Sequence, residues 1–421
     1  MTDKNNSTQH ECPVPSLQEI VDERVEACWY APYSENADRT PNEIKNEEQP
    51  NGRNEYAFFP ETTSVGEYFF NPADAGSGRK QVHTSAEGAQ TVVCQLCPKR
   101  CKISEGRVGF CSARINRGGR LYSRFYGRPT SVAIDPIEKK PLFHFLPGSP
   151  ILSLGTQGCN LSCKFCQNWQ ISRPFSVNET LNRVLAPEKV VQIAIENRCP
   201  SVAFTYNEPT VWCEYVVHVA RLCRKSGIKT AVVTNGMISG EARKELYGTV
   251  DAANVDLKAF TPEFYRNYTN GSLEDVQETL EFIAKQTNVW LEVTNLLIPT
   301  LNDSPNEIQR MCEWIVNTLG PHTPIHFSAF FPTYRLLNLP PTPAQTVIRA
   351  VEIAKKTRLE YAYGGNIQDE ASQSTFCPNC GETLIERSRR YETKIMAALT
   401  EKSETEWICG KCGRKIVGVF K

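Results

Sequence analysis

From residue 151 onward, short apolar runs alternate with longer stretches in which apolar residues recur every three or four positions. The runs Ile151–Thr156, Val202–Tyr206, Thr230–Thr234, Ala253–Leu257, Trp290–Ile298 and Ile325–Phe330 have the length and composition of strands. Between them, Pro187–Glu196, Val211–Ser226, Ser272–Gln286, Asn306–Leu319 and Ala344–Thr357 carry the spacing of helices with one buried face. Pro187 fits a first helical position, and Gly227 fits the position just past a helix end. Strands separated by single helices imply a parallel sheet built through right-handed crossovers. The expected fold is α/β, a partial (β/α)6 TIM-like barrel. In such barrels chemistry gathers at the carboxyl ends of the strands.

Outside this region the texture changes. Residues 1–85 read as a variable, partly disordered extension with one amphipathic stretch near Leu17–Cys28. A run rich in Asn, Glu, Pro and Gly follows over Asn36–Asn54 and cannot bury enough apolar area to offset its ordering entropy. Aromatics at Tyr56–Phe59 and Tyr68–Phe70 can anchor the extension to the core. Residues 86–149 read as a cysteine-rich metal-binding segment, 150–370 as the catalytic core and 371–421 as a zinc-ribbon-like tail.

The charge balance lowers the weight of one class of function. The chain has 47 basic and 47 acidic side chains, and a protein that lives on phosphate contacts should carry a basic surplus. Nucleic acid is therefore disfavoured as a partner. No apolar run reaches the roughly 18–20 residues of a membrane span, and the polar amino end does not read as a secretory signal. The expectation is a soluble, cytoplasmic protein without a membrane partner.

The 17 cysteines do change the picture. Clustered cysteines in a reducing compartment are more often metal ligands or catalytic groups than disulfides. Cys94, Cys97, Cys101 and Cys111 form one group, Cys159, Cys163 and Cys166 a second, and Cys377, Cys380, Cys409 and Cys412 a third. Cys12, Cys28, Cys199, Cys213, Cys223 and Cys312 stand singly and read as small buried apolar residues.

The central triplet lies in Gly155-Thr-Gln-Gly-Cys159-Asn-Leu-Ser-Cys163-Lys-Phe-Cys166, directly after the first predicted strand and so at the catalytic rim. A four-iron cubane normally takes four thiolates; three leave one iron open to a ligand. Gly155 and Gly158 let the backbone fold tightly around a bulky cofactor. Phe165 can shield such a cluster or pack on an adenine ring. The competing readings are a zinc site completed by a distant His, or three buried thiols.

This loop, with its C-x3-C-x2-C spacing and the aromatic before the third cysteine, resembles the radical SAM superfamily. GCNLSCKFCQN is similar to the glycyl-radical-enzyme activases, such as pyruvate formate-lyase activating enzymes. The chain is more similar still to the radical SAM member of the AmmeMemoRadiSam system. That likeness is carried by CQLCPKRC, GRVGFCSAR, DPIEKKPLFHFLPG, TYNEPTVWCEY, VVTNGM, VDLKAF, LEVTNLLIPTLND and AYGGNI. The resemblance runs from about Val93 to the carboxyl end. It implies an oxidoreductase that uses a 4Fe-4S cluster and S-adenosyl-L-methionine. Reductive cleavage would yield a 5′-deoxyadenosyl radical that abstracts hydrogen from a substrate.

The resemblance also implies roles for individual residues. Where many members have Gly-Gly-Glu-Pro against the methionine amino group, this chain has Tyr206-Asn207-Glu208-Pro209, so Glu208 and Asn207 become cofactor-binding candidates. An acidic residue at a helix start is the plain alternative for Glu208. Asn235, in Thr234-Asn235-Gly236, matches a turn that lines the ribose and methionine, or is simply a turn. Asp256 and Lys258 sit on one face of the fourth strand, near the sulfonium or at a solvated strand end. Glu292, Asn295 and His326 are weaker candidates for the same cavity, His326 being equally a satisfied core residue.

The flanking groups call for metals of their own. Cys94, Cys97, Cys101 and Cys111 suit a zinc ion or an auxiliary 4Fe-4S cluster, and spacing does not choose between them. Cys377, Cys380, Cys409 and Cys412 form two CxxC-Gly knuckles, the pattern of a zinc ribbon. The implied partners are an electron donor such as flavodoxin or ferredoxin, with a glycyl radical enzyme or Memo-type proteins on the substrate side. A structural or nucleic-acid-binding multi-zinc protein and a pure electron carrier are the rival classes; neither needs six βα units.

Overall fold

The computed structural model describes residues 12–21, 24–33, 90–173, 183–388, 390–403 and 406–421. The polar run over 36–54 and the aromatics at 56–59 and 68–70 lie outside these residues.

Eight strands form one sheet in sequence order: β1 (Ser131–Pro136), β2 (Pro150–Gly155), β3 (Ser201–Phe204), β4 (Lys229–Thr234), β5 (Ala252–Asp256), β6 (Trp290–Leu297), β7 (Ile325–Ala329) and β8 (Ala362–Gly365). β1 and β2 are antiparallel and every other pair is parallel. Six helices make the crossovers: α1 (Pro187–Glu196), α2 (Cys213–Lys225), α3 (Gly240–Thr249), α4 (Leu273–Gln286), α5 (Pro305–Thr318) and α6 (Ala344–Lys356). Right-handed crossovers between strands taken in order put all the helices on one face. The result is the expected partial (β/α)6 barrel, widened by β1 at one edge and β8 at the other.

Local chemistry sets several boundaries. Ser272 and Ser304 cap α4 and α5 by accepting the N–H groups of Asp275 and Glu307, and Pro187 and Pro305 occupy first turns. Helix α3 escaped the pattern reading because Ala242, Leu246 and Tyr247 are the only large or apolar residues on its buried side. Strand β8 escaped it because Ala-Tyr-Gly-Gly has no β-branched residue.

The two sheet faces differ. The outer face packs against the helices as the main apolar core. On the inner face, Ala203, Ala231 and Ala252 line up across neighbouring strands, and Ile137, Leu142, Phe145 and Leu146 fill the space over them. This plug closes the amino-terminal end of the barrel. Toward the carboxyl ends, inner-facing Val233, Asp256, Thr294, Leu296 and Ser328 are only half-buried. The concavity is open there, on the side where the triplet loop leaves β2.

The four-cysteine segment packs on the same core through the strand Val92–Cys94, which pairs with Lys102–Ile103 and with Tyr30–Pro32 of the amino extension. The sheet begins at residue 131, inside the stretch read as a separate metal-binding segment. The tail builds two small three-stranded sheets around its own apolar cluster. Of the six scattered cysteines, Cys199, Cys213, Cys223 and Cys312 are buried as expected. Cys12 and Cys28 correct the expectation, being disulfide-bonded to each other. The extension doubles back over the barrel, Ala27 N–H donating to Leu121 and Ser123 N–H to Val25, and this brings the two thiols together.

Candidate active site

The loop after β2 is held from three directions. Asn207, just past β3, accepts the Thr156 N–H at 3.0 Å and donates to the Gly158 carbonyl at 2.8 Å. Ser162 and Lys164 donate their N–H groups to Thr269 and Tyr268, in the turn before α4. Gly158 has a φ of +92°, and a Cβ there would stand 2.2 Å from the Cys111 carbonyl oxygen, so only glycine fits. The loop thus carries Cys159, Cys163 and Cys166 half-buried on one short segment.

Their environment suits a cationic partner. Burial pushes the Cys163 thiol up to about 12 despite nearby Lys258, and pushes Cys159 well above the ordinary thiol value. Left alone these thiols stay protonated; a bound metal centre would supply the positive charge that holds them as thiolates. Leu161 N–H points at Cys159 Sγ at 3.3 Å and Asn235 Nδ2 lies 3.7 Å from the same sulfur. The donor set therefore fits a thiolate-bound cluster.

Glu208 is buried and fully engaged. Its carboxylate accepts the Thr210 N–H at 2.9 Å, the Thr234 hydroxyl at 2.7 Å and the Asn235 N–H at 2.8 Å. It thereby caps the short helix after β3 and ties it to the turn after β4. Burial raises the Glu208 carboxyl, and these donors oppose the shift. Asn235 in turn accepts the Met237 N–H and donates to Asn160 Oδ1 at 2.8 Å. Asn207, Glu208 and Asn235 thus form a scaffold under the cysteine loop. Tyr206, which precedes them, has a left-handed φ of +73° that turns the chain into this position.

Phe165 is buried against Phe264, with ring centroids 5.8 Å apart. Lys258 Nζ pairs with Asp256 Oδ2 at 2.7 Å and reaches over the Phe165 ring at 5.9 Å. His326 is not brought to the loop. Its Nε2 lies 2.6 Å from Glu292 of β6, and the backbone N–H groups of Phe143 and His144, in the plug segment, donate to the same carboxylate. Burial pushes Glu292 up, but the hydrogen bond and charge of His326 outweigh it and hold the carboxyl below its usual range. Asn295 faces the helix layer, donating to the Leu257 carbonyl.

The sequence reading passed over one polar group near the loop. Asp135 of β1 accepts from Tyr206 OH and from Lys140 Nζ, both at 2.7 Å. Burial would raise Asp135, but Lys140 and Tyr206 dominate and hold its carboxyl at about 2. The stretch DPIEKKP held the signal, yet nothing in its spacing revealed that β1 joins the sheet.

In the tail, Cys377, Cys380, Cys409 and Cys412 bring all four Sγ atoms within 4.8 Å of one another. Cys377 lies 3.5 Å from Cys412 and Cys380 lies 3.7 Å from Cys409. These are the separations of a tetrahedral four-thiolate ion with metal–sulfur bonds of about 2.3 Å. Side-chain and backbone hydrogen bonds from Asn379 and Arg414 lower Cys412 to about 6, easing its deprotonation.

Among the described residues no helix is long and apolar enough to cross a membrane. The sequence model of the Radical SAM superfamily matches residues 153–315, opening in β2 just before the triplet. The chain is 42% identical over 325 residues to "Uncharacterized protein MJ0808" of Methanocaldococcus jannaschii, spanning 77% of this chain and 95% of that one. It is 25% identical over 167 residues to a pyruvate formate-lyase-activating enzyme of Clostridium pasteurianum, covering 38% of this chain and 67% of the relative. Against pyruvate formate-lyase 1-activating enzyme of Escherichia coli it is 26% identical over 162 residues, covering 38% and 65%. A partial parallel barrel, a superfamily match across its first five parallel strands and relatives of this kind lead to one conclusion: the chain belongs to the radical SAM superfamily.

Proposed function

We propose that Cys159, Cys163 and Cys166 hold a 4Fe-4S cluster with one iron left open, and that the chain cleaves S-adenosyl-L-methionine there to take hydrogen from a substrate. The observation that carries this reading is the pinned loop: three half-buried thiols on one segment at the carboxyl end of β2, beside an open inner face. A cluster held by these three cysteines would supply the one-electron reduction of the sulfonium, the chemistry that parts methionine from a 5′-deoxyadenosyl radical.

The chain's own residues fix position and exclude water. Asn207 sets the approach of the loop, and Glu208 sets Asn235, whose amide faces Cys159. Phe165 and Phe264 cover the loop from one side. Asp256 and Lys258 present a paired charge at the rim, suited to the ribose hydroxyls or the amino acid end of the nucleotide. The likeness to activating enzymes supports a backbone glycine of a glycyl radical enzyme as substrate, with a ferredoxin or flavodoxin as the one-electron source. Cys377, Cys380, Cys409 and Cys412 hold zinc in this reading.

The test is anaerobic turnover with dithionite. Purified protein should contain iron and sulfide and form 5′-deoxyadenosine, and Cys163→Ala should lose that product while keeping the tail's zinc. Deuterium from a labelled glycine in a candidate protein should appear in the 5′-deoxyadenosine. Label arriving instead from a small molecule or peptide would replace the substrate assignment; the absence of iron and sulfide at the loop would end the reading altogether.

A further inference from the structure

The four cysteines ahead of the barrel differ from the tail set in one measurable way. The tail is the one group of three or more candidate ligands, among the described residues, whose ligand atoms all lie within 4.8 Å of one another. No three of Cys94, Cys97, Cys101 and Cys111 meet that limit. A single zinc ion at about 2.3 Å from each sulfur needs sulfurs about 3.8 Å apart. The four thiols instead line one common recess, together with Arg114 and Asn160. A cubane spreads its four thiolates wider than one ion can, and a recess between them is what it requires.

A second, independent observation points to an occupant. Arg114 is 1% exposed and lines this recess. Its two terminal nitrogens are taken by Glu214 at 2.6 and 2.8 Å, yet its Nε is buried without any partner. An orphaned buried N–H donor costs about 1–3 kcal/mol unless something accepts from it. Thiolate or sulfide sulfur of a bound cluster would.

The recess also adjoins the catalytic loop. The Cys111 carbonyl lies where a Cβ of Gly158 would be, one residue before Cys159. Asn160 lines the recess and accepts from Asn235, whose same amide nitrogen faces Cys159 Sγ. Lys99 lies within electrostatic reach of Cys97 and Cys101 on one side and of Cys159 on the other. On the outer side, Arg100, Lys102 and Arg107 are exposed, a basic rim on a chain with no net charge.

We propose that Cys94, Cys97, Cys101 and Cys111 hold a second 4Fe-4S cluster that takes one electron from an acidic, low-potential protein donor and passes it across the Cys111–Gly158 contact to the cluster at Cys159. The donor is a reduced ferredoxin or flavodoxin, oxidised by one electron for each electron delivered; no bond is made and no proton moves. The inference rests on the reading of the Cys159 loop given above, since a relay needs an acceptor. The basic rim is where the donor docks, its acidic surface meeting Arg100, Lys102 and Arg107.

Metal analysis of the full-length, anaerobically purified chain tests this without any variant. The expected content is about eight irons, about eight sulfides and about one zinc per chain. About four irons with two zincs would overturn the second cluster and leave the Cys159 reading standing; no iron at all would overturn both. The double variant C97A/C101A should lose half the iron and keep the paramagnetic signal that responds to S-adenosyl-L-methionine. Its remaining cluster should be reduced at least tenfold more slowly by reduced ferredoxin, while dithionite still reduces it. Equal rates with ferredoxin would remove the relay. Should the variant not fold, the wild-type count, with broadening of the two reduced signals by each other, decides the matter.

Discussion

The carbonyl oxygen of Cys111 occupies the space where Gly158 would carry a side chain, 2.2 Å from the position of a Cβ. Two cysteine groups far apart in sequence therefore meet backbone to backbone. Gly158→Ala cannot relax by moving a flexible tip, because the neighbour is a peptide group and φ is +92°. The substitution should displace the loop and lower iron content by at least half, with the S-adenosyl-L-methionine-induced spectral change lost. Iron content equal to wild type would show that the two segments part easily.

Glu208 holds Asn235, and Asn235 faces Cys159. Glu208→Gln keeps the size but offers an amide to three donors that need an acceptor. The cost should be about 1–3 kcal/mol in urea unfolding, with 5′-deoxyadenosine formation down at least tenfold. Asn235→Ala should shift the midpoint potential of the Cys159-bound cluster to more negative values, since one N–H donor toward its sulfur is gone. A potential unmoved in Asn235→Ala would reduce that side chain to a plain turn residue.

How much of this was legible in the sequence depends on the distance over which each residue acts. The strands carrying Cys159, Asn207, Asn235 and Asp256 follow from apolar runs of five or six residues, a local signal. Helix α3 and strand β8 lacked that signal and were missed. Asn207 and Glu208 are cofactor candidates by resemblance; that their side chains also tie the loop to its scaffold is something only tertiary structure reveals. His326 had the right register for the cavity yet pairs with Glu292, because the plug 137–146 fills that end of the barrel. Nothing in the strand pattern announces a plug supplied by the preceding segment.

Arg114 and Glu214 form a two-point ion pair with both side chains 1% exposed. Removing one partner strands a charge that water cannot reach. Glu214→Ala should cost about 3–5 kcal/mol in urea unfolding, and the joint replacement of Arg114 by Met and Glu214 by Leu should recover most of that. A single variant within about 1 kcal/mol of wild type would mean that the site relaxes to admit water.

The tail is fastened to the bottom of the barrel. Val419 exchanges backbone hydrogen bonds with His144 and Leu146, and Trp407 packs on Phe420 at 5.4 Å. Stripping the metal from Cys377, Cys380, Cys409 and Cys412 should free this strap. A loss of about 3 kcal/mol would lower Tm by about 3–4 °C, and Trp407 and Trp290 fluorescence should shift red. Zinc should restore both. An unchanged Tm after complete zinc removal would show that the strap holds without its ribbon.

His144 supplies the acid sensitivity of the same junction. It is fully buried, with Nε2 at 2.6 Å from Tyr363 OH and Nδ1 at 2.8 Å from the Val417 carbonyl. The carbonyl requires a proton on Nδ1, so Nε2 accepts from the tyrosine and the ring is neutral. Burial, opposed by Glu292, lowers its pKa to about 4. An unfolded chain protonates the same ring at about 6.5. Between these values the unfolded state binds a proton that the folded state refuses. The His144 contribution is thus complete above pH of about 6.5 and drains away as pH falls toward 4, by about 3 kcal/mol in all. Urea midpoints of the metal-loaded protein, taken anaerobically from pH 7 to 4.5, should fall more steeply for wild type than for His144→Gln. The glutamine cannot be protonated, so the difference between the two slopes isolates the imidazole from the acid lability of the metal sites. Parallel slopes would place the acid sensitivity elsewhere.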